Sequence, residues 1–239
     1  MRLRTKILAL AFSIVGASTA FADPVVLNFE GIATTYPFDS SSIFIQNFYN
    51  GGTSSAGTTG TNYGITFTPN ALVICLNTPG VGCSNTSRGG LGDPSSQDGG
   101  LFFLSGTDTF MDDPAGFTTG FSLFYAAPNS GGSLSVFSGL DGTGTLLATL
   151  ALPTTPSTCS SVYDAGFCPF VPVGVSFSGT AESIDFAGVA NQIVFDDVTF
   201  GSVTPGNPTV PEPSTLVMML TAAGAGAGAL RRRLMRQRA

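Results

Sequence analysis

Short runs of Val, Ile, Phe, Thr and Tyr, separated by clusters of Gly, Asn, Asp, Ser and Pro, recur between residues 25 and 200. Branched and aromatic side chains fit the pleated surface of a β-strand, and the separating residues favour turns. No long apolar stripe at helical spacing accompanies them, and Lys and Glu are scarce. The pattern therefore predicts an all-β fold for this part of the chain.

The predicted strands are apolar runs bounded by turn residues. They cover 25–29, 43–45 with Phe48 and Tyr49, 63–68, 71–76, 100–104, 120–125, 133–137, 146–150, 173–177, 183–186 and 192–200. Between them, Gly51–Thr61 is predicted to be a mobile surface loop and Asp112–Gly116 a turn, because both are rich in turn-forming residues. Residues 23–201 are long enough for one buried core, and we predict a single jelly-roll-like β-sandwich over this range.

The N-terminus has the pattern of a secretory signal peptide. Arg2, Arg4 and Lys6 precede an apolar core at 7–15, and the small residues that follow end in Ala20-Phe21-Ala22. An Ala-x-Ala sequence of this kind is a site for signal peptidase. We therefore expect residues 1–22 to direct export through the Sec machinery and to be removed.

The C-terminus combines three features in a fixed order. A handle of Pro211, Glu212 and Pro213 follows a predicted linker at 202–209, and an apolar segment of about 215–230 comes next. An arginine cluster closes the chain; it includes Arg231, Arg232, Arg233, Arg236 and Arg238. Guanidinium groups stop transfer across a bilayer, so this order predicts a short transmembrane helix with its arginines in the cytoplasm.

Together these three features resemble the PEP-CTERM sorting signal of Gram-negative bacteria that produce exopolysaccharide. In that family a membrane-embedded exosortase recognises the tripeptide and processes the chain there. The resemblance implies that Pro211, Glu212 and Pro213 are the recognition residues and that 210–239 is the sorting signal. The mature form would then lie at the cell surface or outside the cell, after a transient stay in the inner membrane. The alternative is an ordinary single-pass tail anchor.

The charge of the exported part is strongly acidic. Three of the nine basic residues lie in the predicted signal peptide and five in the tail, which leaves only Arg88, whereas fourteen of the fifteen acidic residues lie between the two ends. A domain with this balance does not attract nucleic acid or anionic lipid through its charge. Neutral glycans and divalent cations suit it better.

The four cysteines form two local pairs, Cys75 with Cys83 and Cys159 with Cys168. In an exported chain with an even cysteine count, disulfides are the expected state. The rival is a Cys₄ zinc site, but no spacing here is the close pair that zinc ribbons use.

The chain contains no histidine, which excludes catalytic Ser-His-Asp and Cys-His pairs and His-ligated zinc. Carboxylate chemistry is still available, and a glycosidase needs two acids at suitable separation. Candidate pairs are Asp112 with Asp113, Glu182 with Asp185, and Glu30 with a distant Asp. Since acids are also common in turns, we expect a protein that is not an enzyme and needs no cofactor.

Carboxylates also lie near both ends of the predicted sandwich. Glu30 follows the first strand, and Asp196 and Asp197 lie in the last. Jelly-roll domains often bring their terminal strands together, and Ca²⁺ prefers carboxylate and carbonyl oxygens. These three residues are therefore candidate ligands of a structural calcium ion. The alternative is that the two aspartates lie at a strand edge and bind backbone groups.

Several segments of the exported part, among them 48–53, 62–67, 116–125 and 183–201, resemble exported PEP-CTERM proteins with a lectin-like or carbohydrate-binding-module-like sandwich. The resemblance implies a glycan-binding module that meets extracellular polysaccharide. Trp, the best platform for a sugar ring, is missing, so a tyrosine would have to replace it; the candidates are Tyr36, Tyr49, Tyr63, Tyr125 and Tyr163. The alternatives are a structural protein of a biofilm or floc matrix and a carboxylate-dependent glycosidase.

Overall fold

The computed structural model describes residues 24–39, 42–78, 80–83, 98–158 and 168–206, and residues 23–208 form a compact unit. Within the described residues the chain forms eleven strands and no helix. The strands are β1 Val26–Leu27, β2 Thr66–Phe67, β3 Ala71–Cys75, β4 Gly99–Phe103, β5 Asp108–Phe117, β6 Gly120–Ala126, β7 Gly132–Phe137, β8 Leu146–Leu152, β9 Val171–Ser176, β10 Ala181–Gly188 and β11 Val194–Phe200.

The strands form two antiparallel sheets. The first has the order β3-β4-β11-β6-β9, and β1 also pairs with β11; the second has the order β2-β5-β10-β7-β8. Strand β11 faces β4 at Phe195 and faces β1 at Val198 and Thr199, so the first and last strands are neighbours. The prediction of an all-β protein with two packed sheets is confirmed.

Phenylalanine fills much of the space between the sheets. Phe121 on β6 lies between Phe117 on β5, Phe186 on β10 and Phe200 on β11, with ring centroids 5.8–6.2 Å from its own. Phe186 also contacts Phe195 at 5.1 Å. The Phe121–Phe186 and Phe186–Phe195 contacts are edge to face, an arrangement that stabilises a core beyond the area that it buries. The aromatic residues of the strands are thus mainly structural.

The predicted turn at Asp112–Gly116 is wrong, because this segment lies inside β5. Asp112 pairs with Ser183 and Phe117 pairs with Ala181, so four residues of β5 face the single residue Glu182. Gly116 has a positive φ of 72°, which allows the strand to bend there. Turn-forming residues here build a bulge within a strand instead of ending it.

The described part of the predicted linker lies on the first sheet. Gly206 donates its N–H to Oγ1 of Thr199 at 3.2 Å, and Pro205 is buried. Val203 passes so close to Gly174 of β9 that a Cβ there would lie 2.1 Å from the Val203 carbonyl oxygen. Residues 202–206 are therefore held against the sandwich.

Several predictions fall on residues outside the described ranges. They are the signal peptide at 1–22, the sorting signal at 210–239 with Pro211, Glu212, Pro213 and its arginines, and residues Cys159, Tyr163 and Arg88. Over the described ranges, none of the structure is a helix with the length and apolar character needed to cross a bilayer.

The disulfide between Cys75 and Cys83 is confirmed, and both residues are buried. It closes the turn that follows β3, where the N–H of Cys83 also donates to Oδ1 of Asn77 at 2.9 Å. Cys168 is disulfide-bonded as well, and its predicted partner Cys159 lies outside the described residues.

Replacing both Cys75 and Cys83 by serine should lower the free energy of unfolding by about 2–3 kcal/mol, since the unfolded chain gains the entropy of an open loop. Urea unfolding monitored by far-UV circular dichroism measures the change. The wild type with its disulfide intact, unfolded in the same urea series without reductant, is the control. An unchanged free energy would show that the hydrogen bonds of the turn hold it without the bridge.

Candidate functional site

An open cleft of about 570 Å³ lies where the end of β1 meets the segment between 48 and 63. Its volume is typical of small-molecule and sugar sites. Most of its lining is polar; the lining residues are Val26, Asn28, Glu30, Gly31, Phe48, Tyr49, Thr59, Gly60, Thr61 and Tyr63. A smaller pocket of about 140 Å³ shares Glu30 and Gly31 with it.

Tyr49 forms the buried floor of this cleft. Its hydroxyl oxygen accepts a hydrogen bond from the N–H of Phe29 at 3.0 Å, and the two rings meet edge to face. Its carbonyl oxygen accepts from the N–H groups of Tyr63 and Ile65 at 2.9 and 3.3 Å. Burial, and then the charges of Asp196 and Glu30, raise the pKa of Tyr49 far above its ordinary value, so the phenol stays protonated. It therefore supports the site and supplies no acid or base.

Tyr63 forms the exposed wall of the cleft. Tyr63 is 37% exposed. Among the described residues it is the only aromatic residue that is exposed. Its ring lies 6.3 Å from that of Tyr49 at an angle of 30°. An exposed ring supported by a buried ring is a rigid surface against which a ligand can stack.

The backbone at Gly64 explains why Tyr63 faces water. Strict alternation over Tyr63–Thr68 predicts that Tyr63, Ile65 and Phe67 all point into the core. Gly64 has a positive φ of 76°, which interrupts the alternation, and the regular strand is only Thr66–Phe67. Ile65 and Phe67 are buried as predicted, whereas Tyr63 turns outward.

The other tyrosine candidates are less accessible. Tyr49 and Tyr125 are buried, and Tyr36 is partly buried with its hydroxyl donating to the Leu76 carbonyl oxygen at 2.6 Å. Tyr163 lies outside the described residues. Tyr63 is therefore the candidate that the fold leaves open to a ligand.

Gly51–Thr61 lies outside the strands as a mostly exposed loop, as predicted, and side-chain hydrogen bonds attach it to the sandwich. The hydroxyls of Ser54 and Thr58 both donate to the Ile32 carbonyl oxygen, at 2.9 and 2.5 Å, and Ser54 is buried. Gly60 fits against the Phe48 ring, where a Cβ would lie 2.4 Å from a ring carbon. The exposed residues Thr59 and Thr61 are thus held in place at the cleft. Sequence reasoning missed both of them.

Asn28 and Glu30 form the wall opposite the loop. Oδ1 of Asn28 accepts from the N–H of Glu30 at 3.3 Å, and Oε1 of Glu30 accepts from the N–H groups of Asp98 and Gly99 at 2.9 and 3.4 Å. Phe29, between them, has a positive φ of 56°, which ends β1 and turns the chain. Asn28 is exposed, so its amide is accessible from the cleft.

The predicted calcium ligands lie in the same region. Glu30 and Asp196 both act on the Tyr49 hydroxyl, and Asp196 and Asp197 are buried. Oδ1 of Asp196 accepts from the N–H of Asp197 at 2.8 Å. Throughout the described part of the chain, no group of three or more His, Cys, Asp and Glu side chains has an arrangement that could hold a metal ion. Glu30, Asp196 and Asp197 therefore do not form a three-carboxylate metal site in this structure.

Two of the three candidate acid pairs lie on β5 and β10, whereas Glu30 of the third lies at the cleft. Oδ1 of Asp112 accepts from the N–H of Asp141 at 2.8 Å, and Oδ1 of Asp113 accepts from the N–H of Ala115 at 3.0 Å. Burial raises the pKa of both carboxyls. The acid that acts on Asp185 is Asp108 on the neighbouring strand, and not the predicted Glu182. Sheet register, which places Phe110 opposite Asp185, creates this pair.

Asp185 should make the stability of the domain depend on pH. Burial, and then the Asp108 charge, raise its pKa from 3.8 to about 6, and its Oδ1 has no hydrogen-bond partner among the described residues. Because the folded pKa is the higher one, this group stabilises the fold below about pH 4, and that contribution is lost as the pH rises through about 6.

Asp185→Asn should therefore raise Tm by about 2 °C at pH 8, after allowance for screening at a half-exposed group, and leave Tm unchanged at pH 4. Differential scanning calorimetry at both pH values measures the difference. Glu182→Gln, on the same strand, is the control. An equal change of Tm at both pH values would contradict the assignment.

No protein-family model matches the chain, and no curated protein sequence matches it. Three solved structures are similar to part of it. The first is a glycoside hydrolase family 43 arabinoxylan arabinofuranohydrolase from Bacillus subtilis in complex with cellotetraose. The match has a TM-score of 0.34 and 17% identity over 62% of this chain, and it spans only 30% of that protein. The second is the K1 adhesin domain of Lys-gingipain from Porphyromonas gingivalis, with a TM-score of 0.31, 17% identity and coverage of 55% and 83%. The third is the C-terminal CBM6 of the laminarinase LamC from Zobellia galactanivorans, with a TM-score of 0.28, 14% identity and coverage of 56% and 100%. At these TM-scores the likeness carries no argument about function.

Proposed function

We propose that the sandwich is a non-catalytic glycan-binding module that holds a sugar ring against Tyr63. The observation that supports this is one exposed tyrosine, supported by a buried tyrosine, at the wall of a polar cleft of about 570 Å³. A pyranose has an apolar face of C–H groups and a rim of hydroxyls. An aromatic wall with polar groups around it complements both parts.

The polar groups of the cleft have distinct roles in this proposal. Asn28, Thr59 and Thr61 are exposed residues of the cleft, and amide and hydroxyl side chains are of the kind that exchange hydrogen bonds with sugar hydroxyls. Glu30 places a carboxylate at the same cleft. Together with the acidic balance of residues 23–211, this carboxylate favours neutral glycans over uronic acids or sulfated sugars.

The export route completes the proposed function. Residues 1–22 pass the chain to the Sec machinery, an exosortase recognises Pro211, Glu212 and Pro213, and the mature jelly-roll-like domain works in the extracellular polysaccharide layer of a Gram-negative bacterium. Mass spectrometry of both termini of the exported protein tests this route. A C-terminus that still carries Arg231, Arg232 and Arg233, or normal processing in a strain that lacks the exosortase, would overturn it.

Tyr63→Ala should weaken binding of the best neutral glycan at least tenfold, because the sugar loses its stacking surface. Binding is measured by isothermal titration calorimetry with the unit 23–208, after affinity electrophoresis against a panel of neutral and acidic polysaccharides has identified the ligand. Tyr63→Phe keeps the ring and should bind nearly as the wild type does. Val189→Ala, at an exposed position outside the cleft, is the control.

Three results would contradict a non-catalytic glycan-binding module with its site at Tyr63. Saturable binding that Tyr63→Ala leaves intact would move the site elsewhere. Absence of saturable binding to every polysaccharide would favour the alternative, a structural matrix protein, for which deletion should reduce the cohesion of biofilm or flocs. Release of oligosaccharide that stops when a single carboxylate is replaced would instead indicate a glycosidase.

The expectation of a structural calcium ion has a separate test, although Glu30, Asp196 and Asp197 are not arranged to hold the ion as a set. If the ion is present, a chelator should lower Tm and added Ca²⁺ should restore it, because a ligand that binds only the folded state stabilises it. Titration calorimetry without heat of binding, together with an unchanged Tm in chelator, would exclude the ion.

A further inference from the structure

The sandwich protects four of its five outer strands from pairing with another chain, and one of these four, β1, has only two residues. Strand β3 is covered by the segment 43–45, since the N–H of Ile45 donates to Ala71 O and the N–H of Val73 donates to Ile43 O, at 3.1 and 3.0 Å. Strand β2 has only two residues, and β9 contains Pro172. Covered, short and proline-containing edges are the usual protections against edge-to-edge association.

Strand β8 lacks these protections. It runs for seven residues, Leu-Leu-Ala-Thr-Leu-Ala-Leu, without proline or charge, and within the described ranges it pairs with β7 alone. One irregularity lies at its beginning, where Phe137 faces Leu146 and Val136 faces Ala148, and the register is regular from Ala148 onward. Leu146 is 54% exposed, and Thr149 and Ala151 are exposed as well.

After β8 the chain moves away from this edge. The N–H of Thr155 donates to Ala127 O at 3.1 Å, and Oγ1 of Thr155 accepts from the N–H of Ala127 at 2.9 Å. Residues 153–155 therefore bind to the end of β6 in the other sheet. Among the described residues, nothing forms a ladder with the outer side of β8.

We propose that the outer edge of β8 pairs antiparallel with β8 of a second copy of this chain, with Thr149 opposite Thr149. Side-chain sizes on the two sides of this residue are complementary, since Leu147 and Ala148 precede it whereas Leu150 and Ala151 follow it. Ala148 would face Leu150, Leu147 would face Ala151, and Leu146 would face Leu152, so large residues meet small ones close to the axis. A two-fold interface needs a surface that is complementary to itself, and this strand has that property.

The distribution of charge also favours pairing of two copies of this chain through β8. Residues 23–211 hold fourteen acids and one base, so two copies repel each other across most surfaces. Strand β8 contains no charged residue, which makes it a place where two copies can approach closely. Asp141 lies in the turn that joins β7 to β8, and antiparallel pairing puts the two copies of this turn at opposite ends of the interface.

Sedimentation equilibrium over a range of concentrations tests the proposal by measuring the mass of the unit 23–208. This unit contains the whole described core. The wild type should be a dimer. Thr149→Lys and Thr149→Glu should each raise the dimer dissociation constant at least tenfold, because like charges would face each other across the axis. An equimolar mixture of the two variants should dimerise again, since lysine then faces glutamate.

The controls separate loss of pairing from loss of folding. Thr149 is exposed, so both variants should keep the wild-type circular dichroism spectrum and Tm. Ser105→Lys places the same charge in the exposed turn before β5, which β10 and β7 separate from β8, and should stay dimeric. A monomeric wild type, a Thr149→Lys variant that is still a dimer, or a mixture that stays monomeric would each overturn the proposal.

Discussion

Replacement of Phe121 by alanine should lower the free energy of unfolding by about 3–5 kcal/mol. Phe121 is completely buried on β6, and its ring contacts Phe186 of the opposite sheet as well as Phe117 and Phe200. Alanine would leave a cavity between the two sheets that the surrounding strands cannot close. The loss would therefore include both the buried area and the cavity.

Urea unfolding of the unit 23–208 measures this effect. Phe137→Ala is the matched control, since Phe137 is only partly buried on β7 and belongs to neither core cluster. It should cost clearly less than Phe121→Ala. Equal losses for the two variants would show that Phe121 does not connect the sheets as described.

Gly132→Ala should destabilise the domain by about 3 kcal/mol, because the added methyl group would overlap the backbone of the neighbouring strand in the second sheet. A Cβ at Gly132 would lie 2.1 Å from the carbonyl oxygen of Ala187 on the neighbouring strand β10. Such a distance is far inside van der Waals contact, so β7 and β10 would have to separate. The φ of Gly132 is not positive, and the cost is therefore one of space alone.

Gly188 provides the matched control, because it lies opposite Gly132 in the β7–β10 register. A Cβ there would lie 3.1 Å from a methyl group of Ile193, a side chain that can move by a few tenths of an ångström. Gly188→Ala should cost clearly less than Gly132→Ala in thermal unfolding. A Gly132→Ala variant with wild-type Tm would contradict the close approach of the two strands.

The candidate cleft depends on the same kind of close approach. Gly60 lies against the Phe48 ring, Phe48 contacts Tyr49 at 4.9 Å between ring centroids, and the Tyr49 carbonyl oxygen holds the N–H of Tyr63. The position of the exposed tyrosine is therefore set by contacts within the protein that are in place without a ligand. Such a site is largely preformed, which reduces the entropy lost on binding.

Much of the architecture can be predicted from local patterns. Ala71–Cys75, Gly120–Ala126 and Val194–Phe200 are strands in the structure and were predicted within one or two residues of their ends. Branched and aromatic residues between turn residues predict strands because the preference is local to each run. The bond between Cys75 and Cys83 could also be predicted, since only a short turn separates them in an exported chain.

Local patterns fail where residues that favour turns or flexible loops are held in another arrangement by distant parts of the chain. Asp112–Gly116 has the composition of a turn, yet pairing with β10 retains it as a bulge in a strand. Gly51–Thr61 has the composition of a flexible loop, yet Ser54 and Thr58 attach it to Ile32. Composition records the freedom of a segment in isolation, whereas contacts with distant residues decide how much of that freedom persists.

The amino-acid sequence by itself determined that this chain builds a β-sandwich with an aromatic core, an acidic exterior and a bridged turn after β3. The tertiary structure alone decided that Tyr63 faces water, that Asp185 lies beside Asp108, and that β8 pairs on one side only among the described residues. The physical reason is the same in each case. Strand propensity depends on neighbours along the chain, whereas exposure, charge pairing and edge position depend on sheet register and on single backbone angles such as that of Gly64.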